Sequence, residues 1–220
     1  MTTEQRILFI RHGETVGNLE QIAHGQTESP LNQRGIAQAQ ATGKEISAWD
    51  CRFDKIYTSP LSRAKDTGSI IKEKLGIPLE VVEGLIEGFL GILENATYQE
   101  LGEFGFGTKS LKDDDFSEHK GESPNQLGER IFRTVERIRD SHPGGNLIIV
   151  SHGAAIAHYL AKALKTRPAF GHQYLMHNAG ITELSFDGIN RPELVLLNQY
   201  KHLAVELQSD PLRRDQHVPE

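Results

Sequence analysis

Two histidine–glycine pairs, far apart in the chain, each follow a run of four apolar residues. Ile7-Leu8-Phe9-Ile10 precedes Arg11-His12-Gly13, and Leu147-Ile148-Ile149-Val150 precedes Ser151-His152-Gly153. Uninterrupted apolar runs of this length read as strands buried on both faces. Ligands of open α/β sheets bind beyond the carboxyl ends of the strands. If the two strands are parallel neighbours, both imidazoles reach one edge. Two imidazoles and an arginine there suit an anion, and one histidine is free to be a nucleophile. A histidine that accepts a phosphoryl group must be unprotonated at the attacking nitrogen and held in one tautomer. A hydrogen bond from its other nitrogen to a backbone carbonyl would do this. Gly13 is read as room for the backbone to fold around the His12 ring.

The remaining pieces of such a site can be named. Arg11 adjoins His12, and Arg63 lies at the start of a helix that follows another strand, so it reaches the same edge. Arginine forks stay charged and match phosphate oxygens. A protonated His152 would add a third positive donor, and together the three would stabilise charge on the equatorial oxygens in the transition state. A leaving alkoxide needs an acid near neutral pH. Glu87, just past the third strand, is one candidate, and Glu14, beside the histidine, is the other. Taken singly, a histidine after a strand is an ordinary loop residue and an arginine on a helix an ordinary solvated charge. The joint pattern is what points to chemistry.

These side chains need elements to position them. After the first strand, Arg11 to Leu31 reads as loop, with Gly13, Gly17, Gly25 and Pro30. Asn32 caps a helix over 33–49 with Ile36, Ala37, Ala41, Ile46 and Trp49 available to its buried side. Phe53 to Tyr57 reads as a second strand, and Ser59 and Pro60 as the N-cap and first position of a helix that Gly76 ends. Leu79 to Val82 follows as a third strand. Glu122-Ser123-Pro124 opens a helix with Leu127, Ile131, Val135 and Ile138 on one side, stopped by Pro143-Gly144-Gly145. A helix over 154–164 follows the second His-Gly, and two strands, 181–186 and 194–200, are joined around Asp187-Gly188. Strands alternating with helices predict a mostly parallel sheet with helices on both faces. Between about 84 and 121 the pattern weakens, with recurring glycines, aperiodic Phe104, Phe106 and Phe116, and the acidic run Asp113-Asp114-Asp115. This excursion reads as a lid over the site or as a mobile loop with a solvated acidic tip. The tail from about Gln208 is polar and reads as frayed.

Composition narrows the classes. The chain has 220 residues and no linker or repeat, so one domain over 1–220 is expected. No apolar run approaches the roughly 20 residues of a membrane span, and Met1 to Gln5 lacks the order of a signal peptide. A single cysteine, Cys51, excludes an internal disulfide, fits a reducing cytoplasm and reads as a small core filler. The net charge of −6 argues against nucleic acid as a partner. A local pocket of arginine and histidine can still be positive inside an acidic protein. Histidines acting as metal ligands would have to cluster in threes, away from arginines. The sequence leaves the oligomeric state open.

Arg11-His12-Gly13-Glu14-Thr15 with Asn18 resembles the signature of the histidine phosphatase, or phosphoglycerate mutase-like, superfamily. Gly25 with Ser29-Pro30-Leu31, Ser59-Pro60-Leu61-Ser62-Arg63-Ala64, Leu85-Ile86-Glu87 with Gly91 and Glu94, Gly121-Glu122-Ser123 and Val150-Ser151-His152-Gly153 resemble its further segments. The resemblance implies an α/β fold, a three-layer α/β/α sandwich with a mostly parallel central sheet. It implies His12 as the phosphohistidine, Glu87 as proton donor, and Arg11, Arg63 and His152 as catalytic phosphate-pocket residues. Thr15, Asn18, Gly25 and Gly153 join them as phosphate-binding positions, and no metal is implied. His24 is unusual for the family and reads as a substrate contact or a surface residue. Ala154 stands where the glycolytic mutases have asparagine, and the 84–121 excursion is short for one that must exclude water. The expected activity is therefore a metal-independent phosphomonoesterase, with a small phosphorylated metabolite as its partner and no cofactor. A phosphoglycerate mutase using 2,3-bisphosphoglycerate and a non-catalytic phosphate sensor are the alternatives. Substrate determinants are expected in 88–120 and 173–178.

Overall fold

The computed structural model describes residues 4–187 and 192–209. The joint at Gly188 and the tail beyond Ser209 lie outside the described residues. In chain order the regular elements are β1 (Gln5–Arg11), α1 (Val16–Leu19), α2 (Gln33–Ser47), β2 (Lys55–Thr58), α3 (Ser62–Leu75), β3 (Leu79–Val81), α4 (Tyr98–Phe104), α5 (Phe106–Ser110), α6 (Pro124–Asp140), β4 (Leu147–Ser151), α7 (Gly153–Ala163), β5 (Ile181–Phe186) and β6 (Glu193–Gln199).

The two apolar runs are the two central strands. Sheet order is β3-β2-β4-β1-β5-β6. β1 and β4 pair in parallel with Ile7 opposite Leu147 and Arg11 opposite Ser151. β2 pairs in parallel with β3 and β4, whereas β5 and β6 add an antiparallel edge. Side chains alternate across a strand, so Ile7, Phe9, Leu147 and Ile149 enter one core with α6 and α7 residues such as Ile131, Val135, Ile156 and Leu160. Leu8, Ile10, Ile148 and Val150 enter the other with Ile46, Ala64 and Ile71 of α2 and α3. Two buried faces explain the uninterrupted apolar runs and give the three layers. Helices α2 and α3 carry the chain outward from β1, and α6 returns it to insert β4 between β1 and β2. The order reverses where the two His-Gly pairs stand, which is the ligand-binding point of such sheets. No helix among the described residues is long and apolar enough to cross a membrane.

Several local expectations need correction. Helix α2 ends at Ser47, and Ile36 is 41% exposed. Its buried face is Gly35, Gln38, Ala39, Thr42, Gly43 and Ile46, because small residues allow close approach and polar ones find partners. A Cβ on Gly35 would lie 2.1 Å from the Glu14 carbonyl oxygen, and one on Gly13 would lie 2.4 Å from that of Gly35. Gly13 is therefore required by this backbone crossing rather than by the His12 ring. Asn32 caps α2 as expected. Helix α3 begins at Ser62, not at Pro60; Ser59 does not cap it, and Glu28 accepts from the backbone and hydroxyl of Ser62 instead. The loop after β1 contains the short helix α1, with a Thr15–Asn18 capping box. Cys51 is half-buried, packed at the margin of the α2–α3 core with the Asn146 amide beside it.

Candidate active site

His12 and His152 leave β1 and β4 at the same edge, with ring centroids 5.2 Å apart. The Nδ1 of His12 is 2.8 Å from the Gly13 carbonyl, the backbone bond expected for a fixed tautomer. With Nδ1–H donating, Nε2 carries the lone pair, and it makes no hydrogen bond among the described residues. His12 is 5% exposed. Burial first, then the charges of Arg63 and Arg11, push its pKa well below the usual imidazole range, so the ring is neutral. Its backbone carbonyl accepts from the buried Asn178 amide, which also holds Asn18.

The two arginines are held differently. Arg63 is 2% exposed. Its Nη1 donates to the Thr27 carbonyl, its Nη2 to those of His24 and Gly25, and its Nε to His152 Nδ1 at 3.2 Å. Four of its five N–H groups are thereby committed. Arg11 gives one bond, Nη1 to the Met176 carbonyl at 2.6 Å, and its buried Nε has no partner. Arg11 is thus the open fork of the pair, and Arg63 a charge fixed in place.

His152 departs from expectation. It accepts at Nδ1 from Arg63, and its Nε2 meets Ser59 Oγ at 2.7 Å. It is fully buried, its pKa is pushed well below normal by burial and by Arg63, and its ring does not line the cavity. It is a neutral brace behind Arg63 rather than a third positive donor. Ser59, read from sequence as a helix cap, is the residue that holds it.

Glu87 is on the cavity wall. Its carboxylate accepts from the backbone N–H of Gly88, Ala154 and Ala155 at 2.8, 3.1 and 2.8 Å, the last two at the start of α7. Arg130 clamps the backbone around it, donating to the carbonyls of Gly84, Ile86 and Glu87 and pairing with Glu122. Gln26 also reaches the Glu87 carbonyl. Glu14 is excluded as its rival. It is 3% exposed, bonded to Asn32 and Arg34, and off the cavity wall.

These groups surround a cavity of about 380 Å³, which Thr15, Asn18, His24, Gly25 and Gly153 also line. His24 is thus a wall residue, braced by Thr27 and Asn95. Gly25 admits no side chain, since a Cβ there would sit 2.4 Å from Glu94 Oε1. The 84–121 excursion supplies the far wall through Leu90, Tyr98, Leu101, Phe106, Phe116 and His119. Its inner end is not a solvated loop: Phe116 is 4% and His119 0% exposed. Nor is the acidic run free, because Asp114 accepts from Arg167 and from the Ala169 backbone. The tail is anchored as far as it is described. The Leu207 carbonyl binds Gln38, the Gln208 carbonyl binds Arg34, and the Ser209 hydroxyl accepts from Asn178 N. Sequence reading missed Gln26 and Arg130 as site residues, and neither carried a signal. It placed Asn178 only at the end of a substrate-determining segment and read Ser59 as a helix cap, although Ser59 stands in the same motif as Arg63.

Comparisons with known proteins address the family and the fold. Residues 7–200 match the family model of the histidine phosphatase superfamily, branch 1. An uncharacterized phosphatase, PhoE, of Bacillus subtilis strain 168 is 35% identical over 150 residues, covering 68% of this chain and 72% of that one. Phosphoglycerate mutase-like protein 4 of Arabidopsis thaliana is 34% identical over 156 residues, covering 68% and 67%. A solved phosphoserine phosphatase of Entamoeba histolytica, in complex with 3-phosphoglyceric acid, superposes with a TM-score of 0.81 at 28% identity, covering 91% of this chain and all of that one. With residues 7–200 matched to the family model and a relative at 35% identity over two thirds of its length, the chain belongs to the histidine phosphatase superfamily.

Proposed function

We propose that the protein is a metal-independent phosphomonoesterase that works through a phosphohistidine at His12. The observation that carries this reading is the His12 ring itself. It is neutral, tied at Nδ1 to Gly13, and offers Nε2 to the cavity between two guanidinium groups.

In the first half-reaction the Nε2 lone pair attacks phosphorus and the ester P–O bond breaks. Arg11 binds the equatorial oxygens through its open N–H groups, and Arg63 adds charge and its remaining donor. The departing alkoxide takes a proton from the Glu87 carboxyl. Oε2 of Glu87 has one backbone contact, which leaves a lone-pair site for that proton. In the second half-reaction Glu87 takes a proton from water, the oxygen of water attacks phosphorus and the P–N bond breaks. Inorganic phosphate and neutral His12 remain. Thr15, Asn18, Gly25 and Gly153 shape the phosphate end. With the oxygens met by two arginines, no step requires a metal or a cofactor. Residues 1–220 act as one catalytic domain, with the 84–121 excursion as its substrate-facing cover.

The mutase alternative requires a phosphorylated sugar acid to be held between the two half-reactions. Beyond Arg11 and Arg63 the described cavity lining carries no lysine or arginine to hold its carboxylate. The test is an assay in EDTA with p-nitrophenyl phosphate, and with 3-phosphoglycerate in the presence and absence of 2,3-bisphosphoglycerate. Free phosphate released by the wild type and not by His12→Ala is the expected result. Isomerisation of 3-phosphoglycerate with little free phosphate would establish the mutase instead, and no turnover of either would leave a phosphate-sensing module.

A further inference from the structure

The cavity changes character away from the phosphate end. Its far wall is mostly apolar: Leu90, Leu101, Phe106, Phe116 and Leu127 face it, with the hydroxyl-bearing Tyr98 and Ser110 among them. Three rings of that wall form one cluster, with Phe106 and Phe116 6.1 Å apart, Phe106 and His119 5.0 Å apart, and Phe116 and His119 5.4 Å apart.

Positive charge is confined to the other end. The lysine and arginine side chains on the described lining are Arg11 and Arg63 alone, and both adjoin His12. Behind the wall, Arg130 is already bound to Glu122 and to three carbonyls, and Lys109, whose Nζ lies 5.8 Å from the Phe116 ring centroid, is off the lining and paired with Glu118. Two histidines on this wall are disfavoured as cations. Burial lowers the pKa of both His119 and His158. The carbonyls of Phe89 and Glu122 pull His119 back in part, but neither closes a hydrogen bond with its ring nitrogens. His24 is turned to Asn95 and Thr27, with the far edge of its ring against Gly17. A second anionic group on a substrate would therefore exchange water for an apolar wall and the Glu87 and Glu122 carboxylates, which costs affinity.

Building on the phosphatase reading, we propose that the preferred substrates are phosphomonoesters of uncharged, ring-bearing alcohols, whose ring packs on the Phe106–Phe116–His119 wall. Esters whose alcohol carries a carboxylate, such as phosphoserine and phosphoglycerate, are poor substrates. Specificity then differs from that named for the Entamoeba relative, although the fold is shared. The reaction itself is unchanged: the ester P–O bond breaks, and the neutral alcohol leaves with the proton from Glu87.

The test compares three esters of primary alcohols, so that intrinsic leaving-group reactivity is similar: 3-phenylpropyl phosphate, propyl phosphate and O-phosphoserine. Burying one phenyl ring predicts that kcat/KM for the first exceeds that for the second by roughly 30-fold. O-Phosphoserine should fall below propyl phosphate. Phe106→Ala should lower the phenylpropyl-to-propyl ratio about 5-fold, with circular dichroism used to confirm its fold. O-Phosphoserine equal to or better than the phenylpropyl ester, or a phenylpropyl-to-propyl ratio near unity in the wild type, would overturn the proposal while the phosphatase reading stood. An unchanged ratio in folded Phe106→Ala would overturn the aromatic wall as its basis. Failure of the wild type to hydrolyse any of the three esters or p-nitrophenyl phosphate would instead bring down the phosphatase reading, and this proposal with it.

Discussion

At the sheet edge Arg63 commits its donors to the carbonyls of His24, Gly25 and Thr27 and to His152, while on the opposite wall His119 has no hydrogen bond at either ring nitrogen. The edge is positioned by backbone. His12 is fixed by Gly13, Arg11 by Met176, and Glu87 by three N–H groups. The wall is positioned by rings touching rings, Phe106 on a helix of five residues and Phe116 and His119 on the irregular segment that follows it. Backbone bonds are directional and do not depend on side-chain identity, so the edge can keep one chemistry while the wall varies. Substitutions at the edge should therefore cost rate and stability together, and substitutions on the wall should redistribute preference among substrates.

The sharpest way to break this contrast is Arg63→Ala. It should reduce kcat/KM on the order of 10³-fold. Leaving its carbonyl partners unpaired should also cost roughly 3 kcal/mol of stability. Kinetics and thermal unfolding of one preparation check both. A large rate loss with an unchanged Tm would show that the edge does not depend on Arg63 as its brace. Next in size, Glu87→Gln should lower kcat on the order of 10²-fold for alkyl esters. Its effect should be smaller for p-nitrophenyl phosphate, whose leaving group needs no proton. Equal rates for wild type and variant on both esters would remove Glu87 as the acid.

Stability against pH sharpens the contrast from another side. His12 and His152 are held below the ordinary value of 6.5. Between pH 6.5 and about 5 the unfolded chain protonates these rings and the folded chain does not, so the unfolded state binds more protons. Stability should fall as pH drops, with a slope approaching about 1.4 kcal/mol per pH unit for each histidine that stays neutral. Above pH 7 this contribution vanishes. A Tm that is flat from pH 7 to pH 5 would mean that the edge histidines are charged in the folded state. The smallest effect is expected for Ser59→Ala, about 5-fold in kcat, since its hydroxyl meets His152 and the Leu61 backbone N–H and acts on the site only through His152 and Arg63. A shift in the acid limb of the pH profile would distinguish this positioning role from general loosening.

The edge was legible in the sequence because each of its requirements left a mark. Four apolar residues before each His-Gly pair reported strands buried on two faces, and parallel pairing then placed the histidines together. What stayed hidden was polar support. The buried face of α2 includes Gly35, Gln38 and Thr42 beside Ala39 and Ile46; apolar periodicity cannot see the first three, and Gln38 is there to bind Glu14 N and the Leu207 carbonyl. Ser59 before Pro60 looked like a helix cap because a free hydroxyl at that spacing usually is one. Here His152 Nε2 meets that hydroxyl, and Glu28, from a loop more than thirty residues earlier in the chain, makes the cap instead. The wall was least legible: Phe104, Phe106 and Phe116 have no common period because they meet across a bend at Gly105, whose φ is +76°.

Everything at the edge converges on one atom, the free Nε2 of His12. The most direct measurement mixes the protein with excess p-nitrophenyl phosphate, quenches at millisecond times under alkaline conditions and locates any added phosphoryl group by mass spectrometry. Phosphate on His12, formed within one turnover, lost on acidification and absent from Glu87-intact His12→Ala, is the expected result. Turnover with phosphate on no residue, or on a residue other than His12, would contradict it.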